Sequence, residues 1–409
     1  MSDEEIKSKY TSYDDFMEAC AKDVAKSYIV YDLKTQQHIL PQIITMAGVW
    51  DAIPIDPKVQ TFSEFLPQGF NLTHDWAGFS DAQASRYIHQ NHVNETKHMA
   101  KLNPGYNIHT LVGNLNKTLD RMMDSKLIDY LVKERMFTFY EVDGCIPGTE
   151  EHRVLEEIVN DNPWPKPIVV YGYDDTWGIE GYLFEAETKC VKERNMGQVA
   201  TNNPGVSNLV FFSRENITAP LKSIPDPEIG AYNSSKTYIS FVVGDGDALY
   251  EYGNMKKEME RRVKYCSEDP DSCFPLIWTM SPQLIKSSAP WIKWFYEQAL
   301  KTGKDYFILP PSGDTYSYPS LMKGETAENF VTNTENDAKM LDTSGTMSWE
   351  WFLSWGHAVK EYFPRYSPNN IVRGFFAINV PYMFPIEAFS GTYKVIGGNS
   401  VLFKPLADW

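Results

Sequence analysis

Residues able to do chemistry gather at a few points of this chain. Gly244-Asp245-Gly246-Asp247 follows an apolar run and sets two acids one residue apart, with glycines that let the backbone turn. Pro310-Pro-Ser-Gly-Asp314-Thr-Tyr316-Ser-Tyr318-Pro319 follows a second run, and Tyr173-Asp174-Asp175 a third. Hydrolysis of a glycosidic bond uses two carboxyl groups on opposite sides of it. One protonates the leaving oxygen; the other attacks the anomeric carbon or activates water. Asp245 or Asp247 set against Asp314 or Asp175 meets that requirement. Tyr316 and Tyr318 offer rings and hydroxyls to a sugar, and Asp174, Asp175 and Trp278 join them as substrate-binding candidates. The competing reading is structural, since Asp after a strand commonly caps the next helix or orders a turn. Two acids between two glycines are harder to explain by capping alone.

Other chemistries lack their motifs. Gly244 and Gly246 begin a G-x-G, but Leu249 stands where the dinucleotide fingerprint needs its third glycine. There is no phosphate-binding loop, no H-E-x-x-H and no G-x-S-x-G. His89, His92 and His98 read as a polar helix face, with no acidic cluster beside them to complete a metal site. A cation held by Gly-Asp-Gly-Asp, as in a cation-dependent esterase or deacetylase, would want histidines nearby, and the second half of the chain has His357 alone. No metal and no cofactor is expected. Trp291 and Trp294 sit at helical spacing and read as core. The five cysteines include no CxxC, and Cys266 and Cys273 flank a short polar segment that a disulfide could close, against two free thiols.

The acids need elements to hold them at strand ends. Strands are expected at 28–32, 52–55, 136–141, 168–172, 208–213, 238–243, 274–280, 305–309, 372–379 and 401–403. Helices are expected near 13–26, 42–50, 81–99, 117–135, 149–160, 178–194, 250–266, 289–302, 324–341 and 348–362. Short buried strands alternating with longer helices predict an α/β chain with a mostly parallel sheet. The proline-rich joint Asn162-Pro-Trp-Pro-Lys-Pro167 divides it. Residues 1–160 form one or more N-terminal α/β domains, and 161–409 a C-terminal (β/α)-barrel-like domain with a sub-boundary near 233. Ligands of parallel α/β folds bind at the C-terminal ends of strands, where these acids fall.

Composition narrows the partners. The 409 residues carry 38 Lys and Arg against 54 Asp and Glu, a formal net charge of −16 that repels a polyphosphate backbone. No stretch approaches the roughly 18 apolar residues of a membrane span. Aromatic residues are 14% of the chain, which suits either a large core or a groove that stacks on sugars. The N-terminus Met1-Ser2-Asp3-Glu4-Glu5 has no apolar leader. Sequons at Asn71, Asn94, Asn116, Asn216 and Asn233 nevertheless suit an extracellular or endomembrane compartment.

Gly313-Asp-Thr-Tyr316-Ser-Tyr318-Pro319 resembles the signature of the GxGYxYP putative glycoside hydrolases, with Thr315 in place of the second glycine. Gly244–Asp247, Phe274–Met280 and Pro310-Pro311 resemble that family's C-terminal domain, and the stretch from Tyr28-Ile-Val-Tyr-Asp32 through Asp51-Ala-Ile-Pro54 its N-terminal domains. Ala248 stands where the family leads us to expect Asn. Family members usually extend further at the N-terminus, so this chain is expected to start inside the first domain. The resemblance implies a carbohydrate-active hydrolase, with Asp245, Asp247 and Asp314 lining its site. The rival expectation is a glycan-binding or scaffold protein without a reactive carboxylate pair.

Overall fold

The computed structural model describes residues 9, 12, 15, 19, 20, 23, 25–32, 34–55, 68–102, 127–140, 147–172, 195–199, 208–226, 230–231, 233–249, 252–351, 353–378 and 391–405. Asp174, Asp175 and the expected helix at 178–194 lie outside them, as does most of the expected helix at 13–26. The chain divides into two compact units, Met1–Trp164 and Pro165–Trp409.

In the first unit, β1 (Ser27–Val30) lies between β2 (Ala52–Ile55) and β3 (Gln68–Asn71), all parallel. A second parallel pair is β4 (Met99–Leu102) with β5 (Phe137–Tyr140). Helix α1 (Leu40–Val49) is buried along its whole length. Its Thr45 hydroxyl accepts the Thr138 N–H at 2.8 Å, which seats the helix on β5. Gly48 makes this approach feasible: a Cβ there would lie 2.7 Å from the Val132 carbonyl oxygen. Helix α2 (Asp81–His92) starts at a full capping box of Ser80 and Gln83. Its Arg86 reaches Glu150 and Glu157 on α3 (Glu150–Asn160).

In the second unit, β6 (Ile168–Tyr171) pairs in parallel with β7 (Met196–Val199). Strands β8 (Val242–Val243), β9 (Leu276–Thr279) and β10 (Asp305–Ile308) form a parallel sheet in sequential order. One parallel bridge, Leu309 to Thr346, carries that sheet on to β11 (Gly345–Ser348). Next come β12 (Gly374–Ala377) and, beyond it, β14 (Ser400–Phe403), both parallel. The antiparallel β13 (Tyr393–Ile396) closes the row. The class is mixed α/β with mostly parallel sheets, as expected. A barrel is not: among the described residues the row β8 to β13 stays open at both ends, and no sheet closes.

One face of this sheet is packed under helices. Trp278, Phe307, Phe375 and Leu402 are buried there. Tyr296 of α5 (Ala289–Thr302) stacks on Phe307 with ring centroids 4.4 Å apart. Helix α4 (Tyr252–Glu268) is tied to the strands by a buried ion pair, Arg262 Nε to Asp305 Oδ1 at 2.5 Å. Asp305 also accepts from the Trp278 indole at 2.7 Å and the Thr302 hydroxyl at 2.5 Å. Cys266 and Cys273 form the disulfide, linking the end of α4 to the run before β9. Helix α6 (Gly324–Met340) follows the signature segment. No described helix is long and apolar enough to cross a membrane.

Local expectations fail at identifiable places. Residues 209–212 form a turn of helix rather than a strand, entered from Asn208 at φ 60°. The strand expected over 238–243 shrinks to its last two residues, with Tyr238, Ile239 and Phe241 exposed. Helix at 348–362 begins only at Trp355. Strands β3, β4, β7, β11 and β13 were not anticipated. Gln-Gly-Phe-Asn and Gly-Thr-Met-Ser lack the aliphatic runs by which buried strands announce themselves.

Candidate functional site

The two acid-bearing loops leave the sheet at the C-terminal ends of β8 and β10, on either side of β9. The first is bolted to β9. Gly246 N–H donates to Thr279 Oγ1 at 2.9 Å, and the Tyr252 hydroxyl donates to the Gly246 carbonyl at 2.7 Å. That same Tyr252 oxygen accepts the Ser281 N–H at 2.6 Å. Burial pushes the Tyr252 phenol far above its ordinary range, and the Asp247 charge adds to the shift. Gly246 is required, since a Cβ would fall 2.1 Å from the Thr279 carbonyl oxygen. Asp245 holds a left-handed φ of 59° and is exposed; Asp247 is half-buried. Ala248, where the family leads us to expect Asn, is buried.

The second loop is gripped on all sides. Pro311–Ser312 is a cis peptide bond. Ser312 Oγ accepts the Trp349 N–H at 2.9 Å and lies 2.8 Å from the Ser317 carbonyl oxygen. Tyr316 exchanges two backbone hydrogen bonds with Gln198 of β7, each 2.9 Å. Thr315, in place of the signature glycine, faces Gly197: a Cβ on Gly197 would lie 1.9 Å from Thr315 Oγ1. The glycine missing from the loop is thus present across from it.

Asp314 is 8% exposed. Gln283 Nε2, just beyond β9, donates to its Oδ1 at 3.1 Å and its carbonyl at 2.9 Å. Asn333 Nδ2 of α6 donates to Oδ2 at 3.2 Å, and the Asp314 N–H donates to Thr334 Oγ1 at 3.2 Å. One helical turn on from Asn333, Asp337 brings a second carboxyl into hydrogen-bond contact with Asp314. Burial raises Asp314 above the ordinary carboxyl range, while its hydrogen bonds and the Lys286 charge oppose the rise. Asp337 is raised well above that range by burial first and by the Asp314 charge second.

The aromatic candidates are interior residues. Tyr316 is 2% exposed and meets Trp349 edge-on, with centroids 5.4 Å apart; Tyr318 is 0% exposed and packs on Trp351 at 6.1 Å. Trp278 is 3% exposed, and its indole N–H is spent on Asp305. Between the two tryptophans, Glu350 extends from the end of β11 and is fully buried. It accepts the Ser320 N–H at 3.2 Å, the Ser320 hydroxyl at 2.5 Å and the Ser354 hydroxyl at 3.3 Å. Trp349-Glu350-Trp351 therefore clasps the signature segment.

Asp337, Gln283, Asn333 and Glu350 were not singled out from the sequence. Asn333 and Asp337 are hidden inside the helical pattern of α6, and Gln283 sits in the short run after the strand end, where nothing marks it. Glu350 follows a strand too polar to recognise, and its flanking tryptophans were the available signal. Of the two states that the spacing of Cys266 and Cys273 leaves open, the structure has the disulfide. Among the described residues no group of three or more His, Cys, Asp or Glu could hold a metal ion. His89 Nε2 lies 2.5 Å from the Asp161 carbonyl oxygen, and His92 pairs with Glu95. A cavity of about 640 Å³ lies toward the opposite, N-terminal ends of β9 to β12, lined by Phe241, Phe274, Tyr306, Ser344, Arg373 and Phe376.

These loops fall within one stretch that is similar to known proteins. Residues 235–378 match the GxGYxYP putative glycoside hydrolase C-terminal domain. The GxGYxYP match runs from before β8 to just past β12, so it includes both acid loops, Asp337 and Glu350. A solved structure also matches: the crystal structure of a putative hydrolase from Bacteroides thetaiotaomicron VPI-5482 at 1.25 Å resolution. The superposition has a TM-score of 0.65 at 14% identity and covers 96% of this chain and 68% of that one, a likeness of fold. No curated protein matches the sequence.

Proposed function

We propose that the second unit is a glycoside hydrolase whose carboxylates come from the ends of β8 and β10. The observation that carries this reading is placement. Within the GxGYxYP match, Asp245 and Asp247 leave one strand and Asp314 leaves the next but one. Two strand spacings amount to about 9.5 Å of backbone separation. That is the scale on which carboxyls straddle a glycosidic bond and, in inverting enzymes, a water. Asp245 and Asp247 are open enough to meet a substrate, while Asp314 is held in one orientation by Gln283 and Asn333. Tyr316, Tyr318 and Trp278 belong to the support of these loops: all three are interior, and a sugar ring would reach none of them without displacing packed neighbours. Asp174 and Asp175 remain candidates from the sequence. The substrate is a carbohydrate in this proposal.

A panel of aryl glycosides and polysaccharides tests it, with the wild type and Asp247→Asn assayed side by side. Turnover that falls in the variant supports the assignment. Equal turnover by both removes Asp247 from the mechanism. Tight glycan binding with no turnover on any panel member would favour a glycan-binding protein instead.

A further inference from the structure

Two carboxyl groups in hydrogen-bond contact need a proton between them, because two carboxylates offer only acceptors. Asp314 already receives donors at both oxygens, from Gln283 and Asn333. Asp337 Oδ2 is closed to solvent, and no N–H or neutral O–H of the described residues donates to it. The acceptor-rich oxygens therefore belong to Asp314, and the oxygen that needs a proton of its own belongs to Asp337.

We propose that Asp337 is a positioning residue for Asp314: the two carboxyls share a single proton, Asp337 keeps it, and it donates that proton to an ionised Asp314. This rests on the reading that Asp314 belongs to the site. It adds a division of labour. Asp314 enters the reaction as the charged partner, and the proton that goes to the leaving oxygen must come from Asp245 or Asp247. Gln283, Asn333 and Thr334 are neutral, and Lys286, on the turn Leu284–Ser287, is the cation whose charge reaches both carboxyls. Lys286 is exposed, so its charge is screened by water.

The sign of the pH dependence follows. Asp337 is raised in the folded protein above its ordinary value. Below about pH 4 both the folded and unfolded chains hold its proton, and the pair costs nothing. As pH rises, the unfolded chain loses that proton first, so stability falls until the folded pair also ionises. Asn at 337 reproduces the neutral acid, with an amide N–H in place of the carboxyl O–H, and does not titrate.

The experiment measures Tm from pH 4 to pH 9 for the wild type, Asp337→Asn and Asp337→Ala, together with the carboxylic-acid carbonyl stretch in the infrared at neutral pH. Asp337→Asn should match the wild type at pH 4, exceed it by roughly 3 °C or more at pH 8, and abolish one protonated-carboxyl band. Asp337→Ala should lie below Asp337→Asn throughout, or fail to fold. Parallel pH curves for the wild type and Asp337→Asn, or no protonated-carboxyl band in the wild type, would overturn the proposal. Neither readout requires turnover. A protein inactive on every glycoside but showing these signatures would defeat the functional reading and leave the shared proton standing.

Discussion

Replacing Asp305 with Ala should be among the most damaging single changes in the second unit. Asp305 is 1% exposed and accepts hydrogen bonds from Arg262 on α4, Trp278 on β9 and Thr302 at the end of α5. Arg262 is itself 8% exposed, and it also donates to the Phe274 carbonyl. Without Asp305, a guanidinium is left in the interior with no counter-charge. Breaking a buried pair in this way costs about 3–5 kcal/mol, far more than the net worth of an intact pair. At about 2–4 °C per kcal/mol for a unit of this size, Tm should fall by roughly 6–20 °C. Thermal unfolding followed by circular dichroism and tryptophan fluorescence reads it directly, with Trp278 as an internal reporter. The double variant Arg262→Met/Asp305→Leu, which leaves neither charge behind, should recover most of the loss. A loss below about 1 kcal/mol in Asp305→Ala, or a double variant worse than the single, would refute the idea that this pair holds α4 and the strands that carry the acid loops.

Other outcomes follow from close packing and chain topology. Gly197→Ala should destabilise the second unit by about 1–3 kcal/mol through collision with Thr315, and Thr315→Gly added to it should restore much of that; denaturant titration of both variants decides. Reducing Cys266–Cys273, which closes a short loop of sequence separation 7, should cost about 2–3 kcal/mol. A thermal scan with and without reductant, with Cys266→Ser/Cys273→Ser as the control insensitive to it, checks that figure.

How much of this was legible in the sequence depended on what each segment had to bury. The strands at 276–279 and 305–308 and the helices around them carry apolar residues at clear periods, and the sequence placed them correctly to within a few residues. The acids at 245, 247 and 314 were legible as strand-end residues because glycine and proline punctuate those ends. β11 was not, because Gly345 and Thr346 fill its buried positions without a hydrophobic signature. With β11 unseen, Glu350 had no strand end to belong to. The tyrosines of the signature read as sugar-stacking groups from their type and spacing. Their packing on Trp349 and Trp351 comes from a segment more than thirty positions away, which no local pattern records. Asp337 was masked by the amphipathic period of α6. Its meaning depends on a partner, Asp314, that sequence distance does not bring near.

In the proposed function, carboxyls at the ends of β8 and β10 act together on a glycosidic bond. The most direct measurement is kcat/KM on the best glycoside of a panel for the wild type, Asp247→Asn and Asp314→Asn, with folding of each checked by circular dichroism. A loss of about 10²-fold or more is expected in both folded variants, since each removes a group from one side of the bond. Folded variants that both retain turnover within about threefold of the wild type, a difference of under 1 kcal/mol in transition-state stabilisation, would contradict it.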